Sequence, residues 1–321
     1  MQEFIVKKED AGQTAVKYIK RILVNATDGF IYKQIRKKNI VLNDKKCTGK
    51  EKVNPGDSIK IYMTDETIST FSGSKEELPD TGEFIKAYKE FKDFKNHIIA
   101  ESDDYLFVNK PVGILSQKDD KDSFSINEVC IGYLLSENKI TADSIKKFKP
   151  SVCNRLDRNT GGIITFGKTL AGTNILNGMF KDRTVNKYYL TIVKGEVKEK
   201  SEVKAYLYKD EKTNKVIVSD SKRNDDYKEI RTAYVPVKYN KDKDITLLSV
   251  HLITGKTHQI RAHLSYINHP IIGDIKYGGS YRGRKYQFLY AVRLEFPETE
   301  DEFLNKRVIE CDIDSIIKEY F

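Results

Sequence analysis

Between Asn154 and Thr169 the chain reads NRLDRNTGGIITFGKT, and this run holds two candidates for chemistry. Gly162 to Thr169 fits G-x-x-x-x-G-K-[ST], the pattern in which backbone N–H groups and a lysine cradle phosphates. Asn154-Arg155-Leu156-Asp157, just ahead of it, offers a guanidinium and a carboxylate. The two readings demand different local structure. A phosphate loop must be a flexible turn between a buried strand and a helix, whereas Ile163, Ile164, Thr165 and Phe166 are β-branched or aromatic and favour a strand themselves. The polar CNRLDRNT before them cannot be the buried strand, and no Walker-B-like strand ending in Asp accompanies it. Ile163 to Phe166 is therefore expected as a buried strand, with Asp157 on the loop that feeds it, a carboxylate positioned by a rigid element. Standing alone, an Arg-x-Asp loop is more often a surface ion pair or a turn.

A second chemical cluster lies at LITGKTHQIRAHLSYINHP. On a helix from Thr257, Ile260, Leu264 and Ile267 face the core, while Arg261 lies on the flank of His258 and Ser265, from where it reaches a cleft. The elements that must position these groups fit a soluble globular chain of 321 residues: 39% hydrophobic, 32% charged, and long enough for one large or two modest domains. No apolar run approaches a membrane span, and MQEFIVKKED lacks a signal-peptide core, so a cytoplasmic location is expected. Cys47, Cys130, Cys153 and Cys311 form no C-x-x-C pair, which signals neither a zinc cage nor a disulfide framework.

Charge is uneven along the chain. Residues 1–63 carry 14 Lys+Arg against 7 Asp+Glu, so most of the net +9 lies in one fifth of the sequence, which suggests a polyanion partner. GQTAVKYIKRIL places Ala15, Ile19 and Leu23 on one helical face, and GFIYKQIRKKN does the same with Ile31 and Ile35, leaving Lys33, Arg36, Lys37 and Lys38 outside. IVLNDKK reads as a strand with a turn at Asn43-Asp44, and VNPGDSIKIYM as a turn and a strand. Thr64 to Lys95 turns acidic and Ser/Thr/Gly-rich and reads as a linker, with a short helix at AYKEFKDFKNHI. The expected organisation is thus a small unit at 1–63, a linker at 64–95 and a large unit at 96–321.

IYKQIRKKNIVLNDKKCTGKEKVNPGDSIKI resembles the S4-type RNA-binding domain, a small α/β unit. In the large unit, NRLDRNTGG resembles the H-R-L-D-x-x-T-S-G signature of the RluA-type pseudouridine synthases, with Asn154 in place of the signature His. Three further blocks follow the order of that family. DYLFVNKPVGIL is similar to its N-K-P-x-G segment, VNKYYLTIVKG to its K-x-Y block, and LITGKTHQIRAHLSYINHPIIGDIKYGG to its T-G-R-T-H-Q-I-R…G-D-x-x-Y-G block, with Lys256 for Arg. QFLYAVRLEF resembles the closing strand, Tyr290 replacing a His. Residues 197–245, a lysine-rich hairpin by composition, agree less well with the family.

The resemblance implies an α+β fold, a mostly antiparallel mixed sheet with a central cleft, behind an S4-type domain. It implies isomerisation of uridine to pseudouridine in RNA, most closely large-subunit ribosomal RNA, with no cofactor and no nucleotide; a monomer is the expected state, although the sequence itself does not give it. Asp157 is then the nucleophile or base, Arg261 the cation that pairs with it, and Tyr189 the aromatic that stacks on the base. Leu289 is the apolar member of the site, and Arg155 fills the space left by a flipped uridine or holds its phosphate. Lys33, Arg36, Lys37 and Lys38 supply phosphate contacts. The spacing of His251, His258, His263 and His269 matches no metal motif, so packing or RNA contact is expected of them. A non-catalytic RNA-binding factor and a nucleotide hydrolase are the competing classes. The retained Asp157, Tyr189 and Arg261 argue against the first, and the strand-like Ile163 to Phe166 against the second.

Overall fold

The computed structural model describes residues 1–72, 78–119, 124–210 and 215–321. Its first 72 residues close a small core of their own. β1 (Gln2–Ile5), β2 (Ile40–Leu42) and β3 (Ser58–Ile61) form a three-stranded antiparallel sheet in the order β1-β3-β2. Against it pack α1 (Ala15–Ile22) and α2 (Asp28–Arg36), burying Ala15, Ile19, Leu23, Ile31 and Ile35 as the helical spacing requires. The Thr27 hydroxyl caps α2 by accepting the Phe30 N–H. Asn43 and Asp44 turn the chain after β2 with positive φ of 50° and 60°, which Asn and Asp tolerate better than other non-glycine residues. The opening strand β1 has no clear sequence pattern and is recruited by its partner β3.

The segment read from composition as a linker is largely helical. In α3 (Asp65–Ser72), Ile68 and Phe71 join the small core, and the Phe71 ring lies 4.3 Å from that of Phe30. In α4 (Gly82–Glu90), Phe84 and Ala87 bury in the large core together with Phe91 and Phe94. Apolar residues spaced for a helix outweigh the polar composition around them.

In the large unit β4 (Ile98–Glu101) and β5 (Tyr105–Lys110) lead to α5 (Ile126–Ser136) and α6 (Ala142–Lys147). α4 packs on α5 so closely that a Cβ on Gly132 would lie 1.9 Å from the Phe84 carbonyl oxygen. Next come β6 (Ser151–Val152), β7 (Gly161–Gly167), α7 (Leu170–Lys181), β8 (Asn186–Lys194), β9 (Ser201–Asp210), β10 (Lys215–Ser219), β11 (Lys228–Asn240) and β12 (Ile245–Leu252). α8 (Gln259–Tyr266), β13 (Leu289–Glu295), β14 (Val308–Glu310) and α9 (Asp314–Ile317) complete the order. Eleven strands form one sheet among the described residues: β10-β9-β11-β12-β8-β13-β7-β5-β4, with β6 on β7 and β14 on β13. Only the β13–β7 pairing is parallel, so the architecture is α+β with a mixed, mostly antiparallel sheet. Residues 197–245 hold more than a hairpin, because the 13-residue β11 pairs with both β9 and β12 and extends the sheet outward.

β7 decides between the two readings of the glycine-rich run. All seven residues of GGIITFG are buried, with β5 on one side and β6 and β13 on the other. Lys168 Nζ is tied to Glu101 at 2.8 Å and to the Ser102 carbonyl, and the Thr169 hydroxyl caps α7 through the Gly172 N–H. The lysine and threonine of the phosphate-loop pattern are thus engaged in holding strands and a helix. Gly162 is needed for another reason: its φ is +108°, and a Cβ there would meet the Ala291 carbonyl oxygen at 2.1 Å, where β7 and β13 pair. Gly162→Ala is expected to destabilise the fold by about 3 kcal/mol, read as a lower urea midpoint with unchanged slope.

Candidate functional site

Asp157 sits on the loop between β6 and β7, and that loop is splinted from all sides. Ser116 Oγ donates to the Leu156 carbonyl and accepts the Leu156 N–H, both at 2.9 Å. The Gly113 N–H donates to the Arg158 carbonyl at 2.9 Å, and the Thr160 N–H to the Asp157 carbonyl at 3.0 Å. Asn154 holds the near end: its Oδ1 accepts the Thr165 N–H at 2.7 Å and its Nδ2 donates to the Ile163 carbonyl at 3.1 Å. An amide can both donate and accept at β7 in this way, which gives Asn154 a role in the loop that does not involve the cavity centre.

Lys110 completes the splint. It is fully buried, and its Nζ donates to the carbonyls of Pro111, Ile114 and Arg158 at 3.0, 2.8 and 3.1 Å. Burial pushes its ammonium down to about 7, while the charge of Asp157 acts in the opposite direction. Three carbonyl acceptors match the three N–H of the charged form. The N-K-P-x-G segment therefore acts under the Asp157 loop.

Arg261 enters from α8, buried at 8% exposure. Its Nη1 donates to Asp157 Oδ2 at 2.8 Å, while Nε and Nη2 grip Asp274 Oδ2 and Oδ1 at 2.7 and 2.9 Å. Burial works against the guanidinium charge, but the hydrogen bonds and charge of Asp274, then those of Asp157, outweigh it and raise the pKa. Asp274 is itself buried at 2% exposure, so one cation serves two carboxylates. His258 approaches Asp157 Oδ2 to 3.7 Å from the same end of α8. Among the described residues no donor reaches Asp157 Oδ1, which is the oxygen left for a ligand.

A cavity of about 810 Å³ opens over this arrangement, lined by Asp157, Arg155, Tyr189, His258, Arg261 and Leu289 among others. That is room for a nucleoside. Tyr189 lies on β8 with its side chain buried at the cavity, and burial together with the charge of Asp157 raises its phenol pKa, so it stays protonated. Its neighbour Tyr188 faces the other side of the sheet, stacked on His251 at 4.7 Å. Leu289 opens β13 and is 4% exposed. Arg155 is exposed at the rim. Further cations line the mouth, among them Lys181, Arg183, Lys187 and Lys256.

The structure thus brings Asp157, Tyr189, Arg261, Leu289 and Arg155 to one cavity. The family model for RNA pseudouridylate synthase matches residues 104–266, just over half of the chain. The chain belongs to the RNA pseudouridylate synthase family. It is 29% identical to an uncharacterized RNA pseudouridine synthase of Mycoplasma capricolum subsp. capricolum, over 96% of this chain and 97% of that one. It is 30% identical to ribosomal large subunit pseudouridine synthase C of Rickettsia felis, over 86% of this chain and 85% of that one. The structure of human RNA pseudouridylate synthase domain containing 4 shares the fold: 72% of this chain and 93% of that one align with a TM-score of 0.56 at 18% identity. This pseudouridine synthase is an RNA-modifying enzyme, and no helix among its described residues is long and apolar enough to cross a membrane.

Lys33, Arg36, Lys37 and Lys38 are exposed at the end of α2 and do not line the cavity. No group of His, Cys, Asp and Glu among the described residues could hold a metal ion. His263 is a packing residue, fully buried with both ring nitrogens unpartnered, and burial pushes it down to about 4. Sequence reasoning passed over Asp274 and Lys110. Both were visible inside quoted blocks, as G-D and N-K-P, but neither type nor spacing says that they meet Arg261 and the Asp157 loop. Lys110→Met is expected to leave the Pro111 and Ile114 carbonyls without a donor, the Arg158 carbonyl keeping the Gly113 N–H, and to lower stability by about 2–3 kcal/mol, read by thermal and urea unfolding.

Proposed function

We propose that this enzyme isomerises uridine to pseudouridine in large-subunit ribosomal RNA, with the Asp157 carboxylate as the reacting group and no cofactor. The observation that carries the proposal is the state of that carboxylate. One oxygen is held by Arg261 and the other is open to a nucleoside-sized cavity with Tyr189 and Leu289 in its lining. The reaction breaks the bond from C1′ to N1 of uracil, turns the base and forms a bond from C1′ to C5. N1 gains a proton and C5 loses one, so the change is redox-neutral. A carboxylate beside the sugar serves as nucleophile at C1′ or as base at the C2′ hydrogen.

Arg261 holds a positive charge against the carboxylate, its Nη1 donating to Oδ2 at 2.8 Å. The fork of Arg261 is itself fixed by Asp274, so the cation also orients the carboxylate. Tyr189 offers a face to the uracil plane during its turn, and its phenol a proton. A paired uridine must leave its stack to reach the cavity, and Arg155 at the rim fills the gap or holds the phosphate.

The relative from Rickettsia felis is named for the ribosomal large subunit, which supports that RNA as substrate. The exposed cations of α2, on a unit resembling the S4 type, support a phosphate contact remote from the cavity.

The test is tritium release from large-subunit RNA labelled at uridine C5 and prepared without this modification. Wild type is expected to release tritium in step with product, and Asp157→Asn to release none while binding RNA within about twofold of wild type. Release by Asp157→Asn at the wild-type rate contradicts the role of Asp157, and absence of release by wild type contradicts the substrate.

A further inference from the structure

Tyr277 lies where α8, the outer sheet and the cavity meet. Its hydroxyl accepts the Val216 N–H of β10 at 3.1 Å and lies 3.0 Å from Nδ1 of His258. The Arg261 guanidinium sits over its ring at 5.3 Å from the centroid, and its carbonyl accepts the Ser265 hydroxyl at 2.7 Å. A phenol has one proton to donate, and His258 Nδ1 is the acceptor found for it among the described residues. Were Nδ1 protonated instead, the tyrosine oxygen would accept two hydrogen bonds and its own proton would have no partner among the described residues. Either tautomer leaves one proton without a described partner, and the carboxylate decides between them: Asp157 Oδ2, 3.7 Å from Nε2, attracts a proton there and repels a lone pair, which puts the imidazole proton on Nε2 and makes Tyr277 O–H the donor to Nδ1.

Nε2 lies 3.7 Å from Asp157 Oδ2, beyond hydrogen-bond reach, and His258 lines the cavity. The backbone holds the ring there in the left-handed region, with φ 53° and ψ 19°, a conformation uncommon for a residue other than glycine. Burial favours the neutral ring, and Arg261 and Lys276 add to this against Asp157 and Asp274, so its pKa is lowered. Among the described residues the Nε2 proton has no acceptor within hydrogen-bond distance, and it faces the space beside the carboxylate.

We propose that His258, fixed by Tyr277 with its proton on Nε2, donates a hydrogen bond to an oxygen of the uridine bound against Asp157, with Tyr277 as its positioning residue. The inference rests on the uridine-isomerising reading of the same site. It also gives the β9–β10–β11 extension a task, because the Val216 N–H occupies one of the two lone pairs of the Tyr277 oxygen and helps to hold that hydroxyl beside His258.

The test combines two readouts on the full chain. Long-range ¹H–¹⁵N spectra of histidine-labelled protein at neutral pH report the tautomer, with the His258 signal assigned by its loss in His258→Gln. Single-turnover rates and RNA affinity are measured for His258→Ala, His258→Gln and Tyr277→Phe, the last of which keeps the ring under Arg261. The expected result is Nε2–H in wild type and a mixed tautomer in Tyr277→Phe. The turnover rate should fall about tenfold in His258→Ala and Tyr277→Phe with affinity little changed, and recover in His258→Gln, whose amide N–H replaces Nε2–H.

Wild-type Nδ1–H or imidazolium overturns the inference, whatever the activity. Nε2–H with His258→Ala as fast as wild type overturns the substrate contact alone. A wild type that isomerises no RNA overturns the functional reading and the substrate contact with it, a failure told apart because the spectra need no turnover.

Discussion

One buried guanidinium between two carboxylates sets the terms for the rest of the large unit. Arg261 spends two of its donors on Asp274 and one on Asp157, all between 2.7 and 2.9 Å. Removing one partner from such a cluster leaves an uncompensated buried charge, at a cost of about 3–5 kcal/mol. The elements carrying these residues therefore cannot shift independently: α8 holds Arg261, the turn after Ile271 holds Asp274, and the β6–β7 loop holds Asp157. The asymmetry has a chemical meaning. Asp274 is gripped at both oxygens and buried, which makes it an anchor. Asp157 is gripped at one and partly exposed, which leaves it able to react.

The loop that presents Asp157 meets the same demand for rigidity with different means. Lys110, Ser116 and Asn154 each hold backbone groups of the segment rather than the carboxylate. Position is thereby set by the main chain and charge by Arg261. This separation tolerates Asn154 where the family signature has His, because an amide supplies the acceptor and donor that β7 requires. The parallel pairing of β7 and β13 at Gly162 brings Leu289 to the cavity beside the same loop.

Much of this was legible in the sequence wherever a physical rule acts locally. Ala15, Ile19 and Leu23 share a helical face that only burial explains, and Ile163 to Phe166, β-branched or aromatic, argue against a phosphate loop. Asp157, Tyr189 and Arg261 could be named from ordered motifs. What could not be read was which distant groups meet. Nothing local joins Asp274 to Arg261 or Lys110 to the Arg158 carbonyl, because those contacts are made by strand order and pairing. Composition misled at 64–95, where Ser, Thr and Gly obscured Ile68, Phe84 and Ala87, and at 197–245, where lysines on outward positions concealed three long pairings. His258 looked like one histidine of four until Tyr277 was seen to hold its ring.

The central claim is that Asp157 reacts because Arg261, itself fixed by Asp274, holds it. A double-mutant cycle tests this most directly: single-turnover isomerisation rates for Arg261→Lys, Asp274→Asn and the two together, each variant first shown to be folded and RNA-bound. Loss of the fixed fork is expected to slow each single variant by about a hundredfold, and the double variant no further than the slower single, because both changes remove the same positioning. Losses that multiply in the double variant would mean that Arg261 and Asp274 act separately, and would contradict the account.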